Sequence, residues 1–225
     1  MPDIIKNKKY KGVILDLDGT IANTIGDITN AMNLMRNSYN LDKTSEYEVL
    51  KHINLGAINV IAGVLPKNFR NEKILKEALA RYTQFYSEHI VERTHAYPGI
   101  GELLENLYDN GFKICVLSNK QDKLTKAIVK TIFPEKYFTE ILGATDEFPH
   151  KPDPASSLYL AEKMKLPCDE IIFAGDSNID METAKNANMF SAGVSWGYRS
   201  IDILKQSGAM LIIDEPKDLL TFLTS

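Results

Sequence analysis

Cysteine is scarce: Cys115 and Cys168 are the only two in 225 residues. A disulfide framework is therefore not required, and no paired thiol spacing suggests a metal site. Cys115 sits in an apolar run and reads as a small buried hydrophobe. Basic excess is also missing. Lys and Arg total 26 against 30 Asp and Glu, for a net charge of −4. No basic stripe is available for a nucleic acid or an anionic membrane, so neither is expected as a partner. Histidine is limited to His52, His89, His95 and His150, which form no ligand spacing and read as structural. Long apolar runs are absent. The run 57–65 is interrupted by Asn59 and is far shorter than the roughly 20 residues of a membrane span. The lysine-rich start is not followed by a cleavable apolar segment, and a cytoplasmic location is expected.

Buried β-strands are clear. Residues 12–17, 112–117, 171–174 and 190–194 are short, continuous apolar runs, a pattern that suits strands covered on both faces. Residues 141–143 and 210–213 are weaker strand candidates. Helical faces alternate with them: Leu103, Leu104, Leu107 and Tyr108 on one, and Leu124, Ala127, Ile128 and Ile132 on another. This alternation predicts an α/β fold, a Rossmann-like parallel sheet with helices on both faces. Residues 22–94 break the rhythm. Ile28, Ala31, Met32, Met35 and Tyr39 form one helical stripe there, and Ile74, Ala78, Leu79, Tyr82, Phe85 and Tyr86 another. A structureless crossover of that length is improbable. The expectation is an inserted α-helical cap at 22–94, on a core of 1–21 and 95–225, with linkers at 21–24 and 94–99.

Chemistry gathers at the predicted strand ends, where ligands bind in open α/β sheets. Asp16-Leu17-Asp18-Gly19-Thr20 ends the first strand. Side chains two apart on a strand share a side, so Asp16 and Asp18 repel each other unless a cation or a proton intervenes. Ser118-Asn119-Lys120 ends the second, and a small hydroxyl with free backbone N–H groups can hold phosphate oxygens. Lys151-Pro152-Asp153-Pro154 places a lysine at a helix start, a point charge suited to phosphate. Gly175-Asp176-Ser177-Asn178-Ile179-Asp180 adds two carboxylates after the 171–174 strand. Asp180 also suits the start of the following helix. Oxygen ligands from Asp16 and Asp176 describe a magnesium site rather than a zinc site. Taken singly, each segment is also ordinary turn or cap chemistry.

In this order, the four segments resemble the four motifs of the haloacid dehalogenase superfamily, over about 13–198. The resemblance implies that Asp16 is the nucleophile, Asp18 the general acid/base, and Lys151 a further catalytic group. It implies that Ser118 and Lys151 hold the phosphoryl group, and Asn119 and Thr20 are expected to join Ser118 in binding the substrate. A Mg²⁺ would be held by Asp16, Asp176 and the backbone carbonyl of Asp18, with Asp180 in its outer shell. Among the superfamily's branches the chain is similar to phosphoglycolate phosphatases, through those motifs, Tyr97-Pro98-Gly99 and 193–198. Asn23 departs from the Asp that relatives often carry there. The expected activity is hydrolysis of a small phosphorylated metabolite through an aspartyl-phosphate. An inorganic pyrophosphatase and a sugar phosphomutase are the alternatives. The substrate's second anionic group is expected to meet a donor near Asn54 to Gly56.

Overall fold

The computed structural model describes residues 10–53 and 56–224. Its main sheet contains β1 (Gly12–Leu15), β4 (Lys113–Gln121), β5 (Glu140–Ala144), β6 (Ile171–Gly175), β7 (Phe190–Val194) and β8 (Leu211–Ile213). Their order is β5-β4-β1-β6-β7-β8, and every neighbouring pair is parallel. All six strand expectations are met, 190–194 with its bounds unchanged and the others with shifted ends. The first strand stops at Leu15, although the Asp16 N–H still donates to the Ala174 carbonyl at 3.0 Å. The second runs on to Gln121 through a register shift after Leu117, so Ser118-Asn119-Lys120 lies in an irregular strand end rather than in a strand-to-helix turn.

Strand alternation divides the core into two layers. Val13 and Leu15, Ile114 and Val116, and Ile172 and Ala174 face one side. There they meet α5 (Ile100–Asp109), α6 (Asp122–Ile132) and α10 (Pro216–Thr224) through Leu104, Ile128 and Leu219. Ile14, Cys115 and Phe173 face the other side, against α7 (Ala155–Met164) and α8 (Asn178–Asn186). The shorter α9 (Ile201–Gln206) connects β7 to β8. A sheet covered on both faces explains why its central strands carry no polar alternation.

Between β1 and β4 the chain leaves the sheet. It folds into α1 (Ile25–Asn37), α2 (Glu46–Leu50), α3 (Ala57–Val64) and α4 (Glu72–Glu88). Ile28, Ala31, Met32 and Met35 are buried along α1, as are Ala78, Tyr82 and Tyr86 along α4. Each large apolar member of these stripes contributes about 1.5–3 kcal/mol on burial. The two linkers pair with each other: β2 (Ala22–Asn23) and β3 (His95–Ala96) form an antiparallel ribbon. Asp27, in the first turn of α1, locks that ribbon by accepting from the Arg93 N–H (2.9 Å), the Thr94 N–H (2.9 Å) and the Thr94 hydroxyl (2.6 Å).

Candidate active site

The carboxyl ends of β1, β4 and β6 meet around one lysine. Lys151, ahead of α7, is buried and sends its ammonium to Asp16 Oδ1 at 2.9 Å, Asp180 Oδ1 at 2.6 Å and the Leu117 carbonyl at 3.2 Å. Asn119 fixes the lysine's backbone from both ends of its amide. Its Nδ2 donates to the Lys151 carbonyl at 3.0 Å, and its Oδ1 accepts from the Lys151 N–H at 2.8 Å. That amide, expected from sequence to meet the substrate, clamps the lysine, and Asn119 also lines the cavity beside Asp18 and Ser118. Ser118 is buried, and its hydroxyl accepts from the Lys120 N–H at 3.1 Å.

Asp180 opens α8 through a capping box. Its Oδ2 accepts from the Ser177 N–H at 3.0 Å and from the Ser177 hydroxyl at 2.6 Å, while the Ser177 Oγ receives the Asp180 N–H. The same residue therefore starts the helix and orients Lys151, which joins the helix-start reading to the site. Asp176 is fully buried. Its Oδ2 accepts from the Tyr198 N–H at 2.7 Å, and its Oδ1 lies 3.4 Å from the Thr20 hydroxyl. Thr20 therefore turns its side chain to Asp176. Two glycines let backbone close over this carboxylate: Gly19, at φ +86°, and Gly197, where a Cβ would collide with Asp176.

Carboxyl oxygens of Asp16, Asp176 and Asp180 all lie within 4.8 Å of one another. Burial, Asp180 and its other acidic neighbours push Asp16 well above the usual carboxylate range, although Lys151 opposes the shift. Burial and Asp180 push Asp176 up to about 7. Burial works against the Lys151 ammonium, but Asp16 and Asp180 outweigh it and keep the lysine charged. One cation among three buried carboxylates leaves negative charge uncompensated. An all-oxygen donor set of that charge fits a hard divalent ion such as Mg²⁺.

Asp18 faces the helical insertion. Its Oδ1 accepts from the Thr24 hydroxyl at 2.5 Å and pairs with the Lys120 ammonium at 3.0 Å. Tyr198 braces this linker, its hydroxyl accepting from the Thr24 N–H at 3.1 Å. Arg199 reaches the insertion, donating to the Leu50 carbonyl at 2.9 Å and the Ile53 carbonyl at 3.2 Å. Sequence reasoning gave no role to Lys120, Thr24, Tyr198 or Arg199. Lys120 and Tyr198 lay inside the quoted motif segments, whereas nothing in the sequence marks Arg199. Trp196 donates to the Thr20 carbonyl at 2.9 Å and lines a separate hollow with Tyr97 and Pro216. Ile53 and Gly56 line the cavity beside Asp18, while Asn54 and Leu55 lie outside the described residues.

Comparison with known proteins agrees with this geometry. Residues 13–194 match the family model of haloacid dehalogenase-like hydrolases. The chain is 30% identical to a phosphoglycolate phosphatase of Vibrio parahaemolyticus, over 93% of this chain and 94% of that one. It is 29% identical to a phosphoglycolate phosphatase of Haemophilus influenzae, over 96% of this chain and all (100%) of the relative. The crystal structure of a predicted phosphoglycolate phosphatase from Haemophilus somnus superposes with a TM-score of 0.89 at 28% identity, covering 97% of this chain and 100% of that one. The strand-end motifs, the parallel sheet and the family match agree: this chain belongs to the haloacid dehalogenase-like hydrolases.

Proposed function

We propose that this chain is a magnesium-dependent phosphatase that hydrolyses a small phosphomonoester, 2-phosphoglycolate foremost, through an aspartyl-phosphate on Asp16. The observation that carries the reading is the buried cluster of Asp16, Asp176 and Asp180 around the Lys151 ammonium, at the carboxyl ends of β1 and β6. It supplies a nucleophile, a fixed cation and a divalent-ion site in one place.

A carboxylate oxygen of Asp16 attacks phosphorus, and the bond to the leaving oxygen breaks as the new O–P bond forms. Asp18 gives its proton to that leaving oxygen. Lys151 and the Ser118 hydroxyl offset the charge on the phosphoryl oxygens. A water then attacks phosphorus of the aspartyl-phosphate and loses its proton to Asp18, so that inorganic phosphate leaves and both carboxyl groups return to their starting states. Asp16, Asp176 and the Asp18 backbone carbonyl would hold magnesium, with Asp180 in its outer shell; when bound it supplies Lewis-acid charge to the phosphoryl group. Thr20 and Asn119 act in this scheme by holding Asp176 and Lys151.

Residues 22–94 serve as a cap that shields the reaction from bulk water. A roofed site and a net charge of −4 favour metabolites over phosphoproteins and polyanions. The relatives named phosphoglycolate phosphatases make that compound the leading substrate. The test is phosphate release from phosphoglycolate, pyrophosphate, hexose phosphates and a phosphopeptide, with magnesium and with chelator. Highest kcat/KM for phosphoglycolate is expected. Preference for pyrophosphate would overturn the named substrate, and preference for the phosphopeptide the small-substrate reading.

A further inference from the structure

Between the helical insertion and the sheet lies a cavity of about 50 Å³. Its core wall carries Asp18, Ser118 and Lys120, and its opposite wall is largely apolar, with Met32, Val60 and Tyr82. Among the described residues lining it, Lys120 is the sole cation. The Lys120 side chain is only 7% exposed, pairs with Asp18 at 3.0 Å and lies over the Tyr86 ring, 4.6 Å from its centroid. Its N–H donates to the Ser118 hydroxyl, so the lysine is tied through one strand end to the Ser118 side of the site. A lysine is rarely this buried without a paired charge. Here the partner is the proposed general acid, whose Oδ1 also accepts from Thr24. An ammonium has three donors, and Asp18 uses one of them, which leaves capacity for a second anion.

We propose that Lys120 is the residue that reads the second anionic group of the substrate, the carboxylate of a two- or three-carbon phosphomonoester. The inference rests on the phosphomonoester reading above and deepens it. A cavity of about 50 Å³ beside Asp18 and Ser118 has room for a small substituent on the phosphoryl group. A neutral alkyl group there would leave the buried ammonium with Asp18 alone. A carboxylate gives it a second acceptor where the apolar opposite wall screens little. The cation thus comes from the core strand β4 and not from the loop near Gly56, where sequence reasoning had looked for a donor.

The experiment measures kcat/KM for 2-phosphoglycolate and for ethyl phosphate, which lacks the carboxylate. It uses the wild type, Lys120→Met, Lys120→Gln and Lys120→Arg, each checked for folding by circular dichroism. The readout is the ratio of the two kcat/KM values, because any general loss from disturbing Asp18 divides out. The wild type should prefer phosphoglycolate. Lys120→Met and Lys120→Gln should each lower the ratio about 10- to 100-fold, as expected for loss of a charge-assisted bond. Lys120→Arg should keep much of it. A wild-type preference that survives unchanged in a folded Met or Gln variant would overturn the role of Lys120 and leave the phosphatase reading intact. A wild type that hydrolyses both compounds equally well would overturn the substrate reading and this inference with it. Phosphate release from neither would overturn the phosphomonoester reading itself.

Discussion

Replacing Lys151 with methionine removes the positive charge at the centre of the site while keeping most of the side chain's volume. The ammonium lies 2.9 Å from Asp16 and 2.6 Å from Asp180, and its side chain is 4% exposed. Breaking a buried pair from one side costs about 3–5 kcal/mol, because the remaining charge has no partner. The chain's alternative is to protonate a carboxylate. At about pH 7.5, measured from an unfolded carboxylate of ordinary pKa near 3.9, that costs at most about 5 kcal/mol at 1.36 kcal/mol per unit, and less for Asp16, which the folded protein already raises. Protonation thus caps the loss, and up to about 3–5 kcal/mol is expected near pH 7.5. Proton uptake relieves the strain, and the loss should shrink by up to about 1.4 kcal/mol per unit as pH falls. The sign follows from the site's own carboxylates. Burial and Asp180 raise Asp16 and Asp176 in the folded protein, Asp176 to about 7. The folded state therefore binds more protons than the unfolded one, and stability declines as pH rises toward 7; losing Lys151 steepens that decline. Urea unfolding of both proteins in chelator, at about pH 5.5, 6.5 and 7.5, measures it. A Lys151→Met protein as stable as wild type near pH 7.5, or a loss independent of pH, would refute the reasoning.

Asp18→Asn should slow turnover of alkyl phosphates by about 10²–10⁴-fold, the usual worth of a general acid/base; unchanged steady-state rates would remove Asp18 from that role. Magnesium affinity, measured by titration calorimetry, should rise between about pH 6 and pH 8, because Asp176, at about 7 in the metal-free protein, must lose its proton to bind; a flat profile would contradict a site built on Asp176. Arg199→Ala removes two bonds to the Leu50 and Ile53 carbonyls and should loosen the insertion. Faster hydrogen exchange in α2 and a several-fold higher KM are expected, and unaltered exchange there would show that Arg199 holds nothing.

Much of the scaffold was legible because buried parallel strands must be continuously apolar, and the runs containing Ile14, Val116, Phe173 and Ala192 are. Asp16, Ser118 and Asp176 were legible because each directly follows or borders such a run, whereas Lys151, well beyond the end of β5, and Asp180, inside α8, were marked by the family resemblance of their segments. Strand ends were less so: β4 continues through Ser118-Asn119-Lys120 by an irregular pairing that leaves no period in the sequence. The β2–β3 ribbon is two residues on each side, too short for any alternation. Division of labour within the motifs was hidden as well. Asn119 and Thr20 are polar residues of the kind that bind phosphate, yet they meet Lys151 and Asp176, because neighbouring strands bring those partners within reach. Lys120 could be quoted from sequence, but its pairing with Asp18 depends on how β4 sits beside β1.

The nucleophile is the claim on which the rest depends, and it can be observed directly. The wild type would be mixed with magnesium and 2-phosphoglycolate, quenched in acid during turnover, digested, and mapped by mass spectrometry. Asp18→Asn would be treated in parallel with 4-nitrophenyl phosphate, whose leaving group departs without a general acid, so that loss of the general base alone should let the intermediate accumulate. The account predicts phosphate on the carboxylate of Asp16, absent from Asp16→Asn and more abundant in Asp18→Asn. Phosphate on another residue, or rapid phosphate release by a verified, folded Asp16→Asn protein, would contradict it.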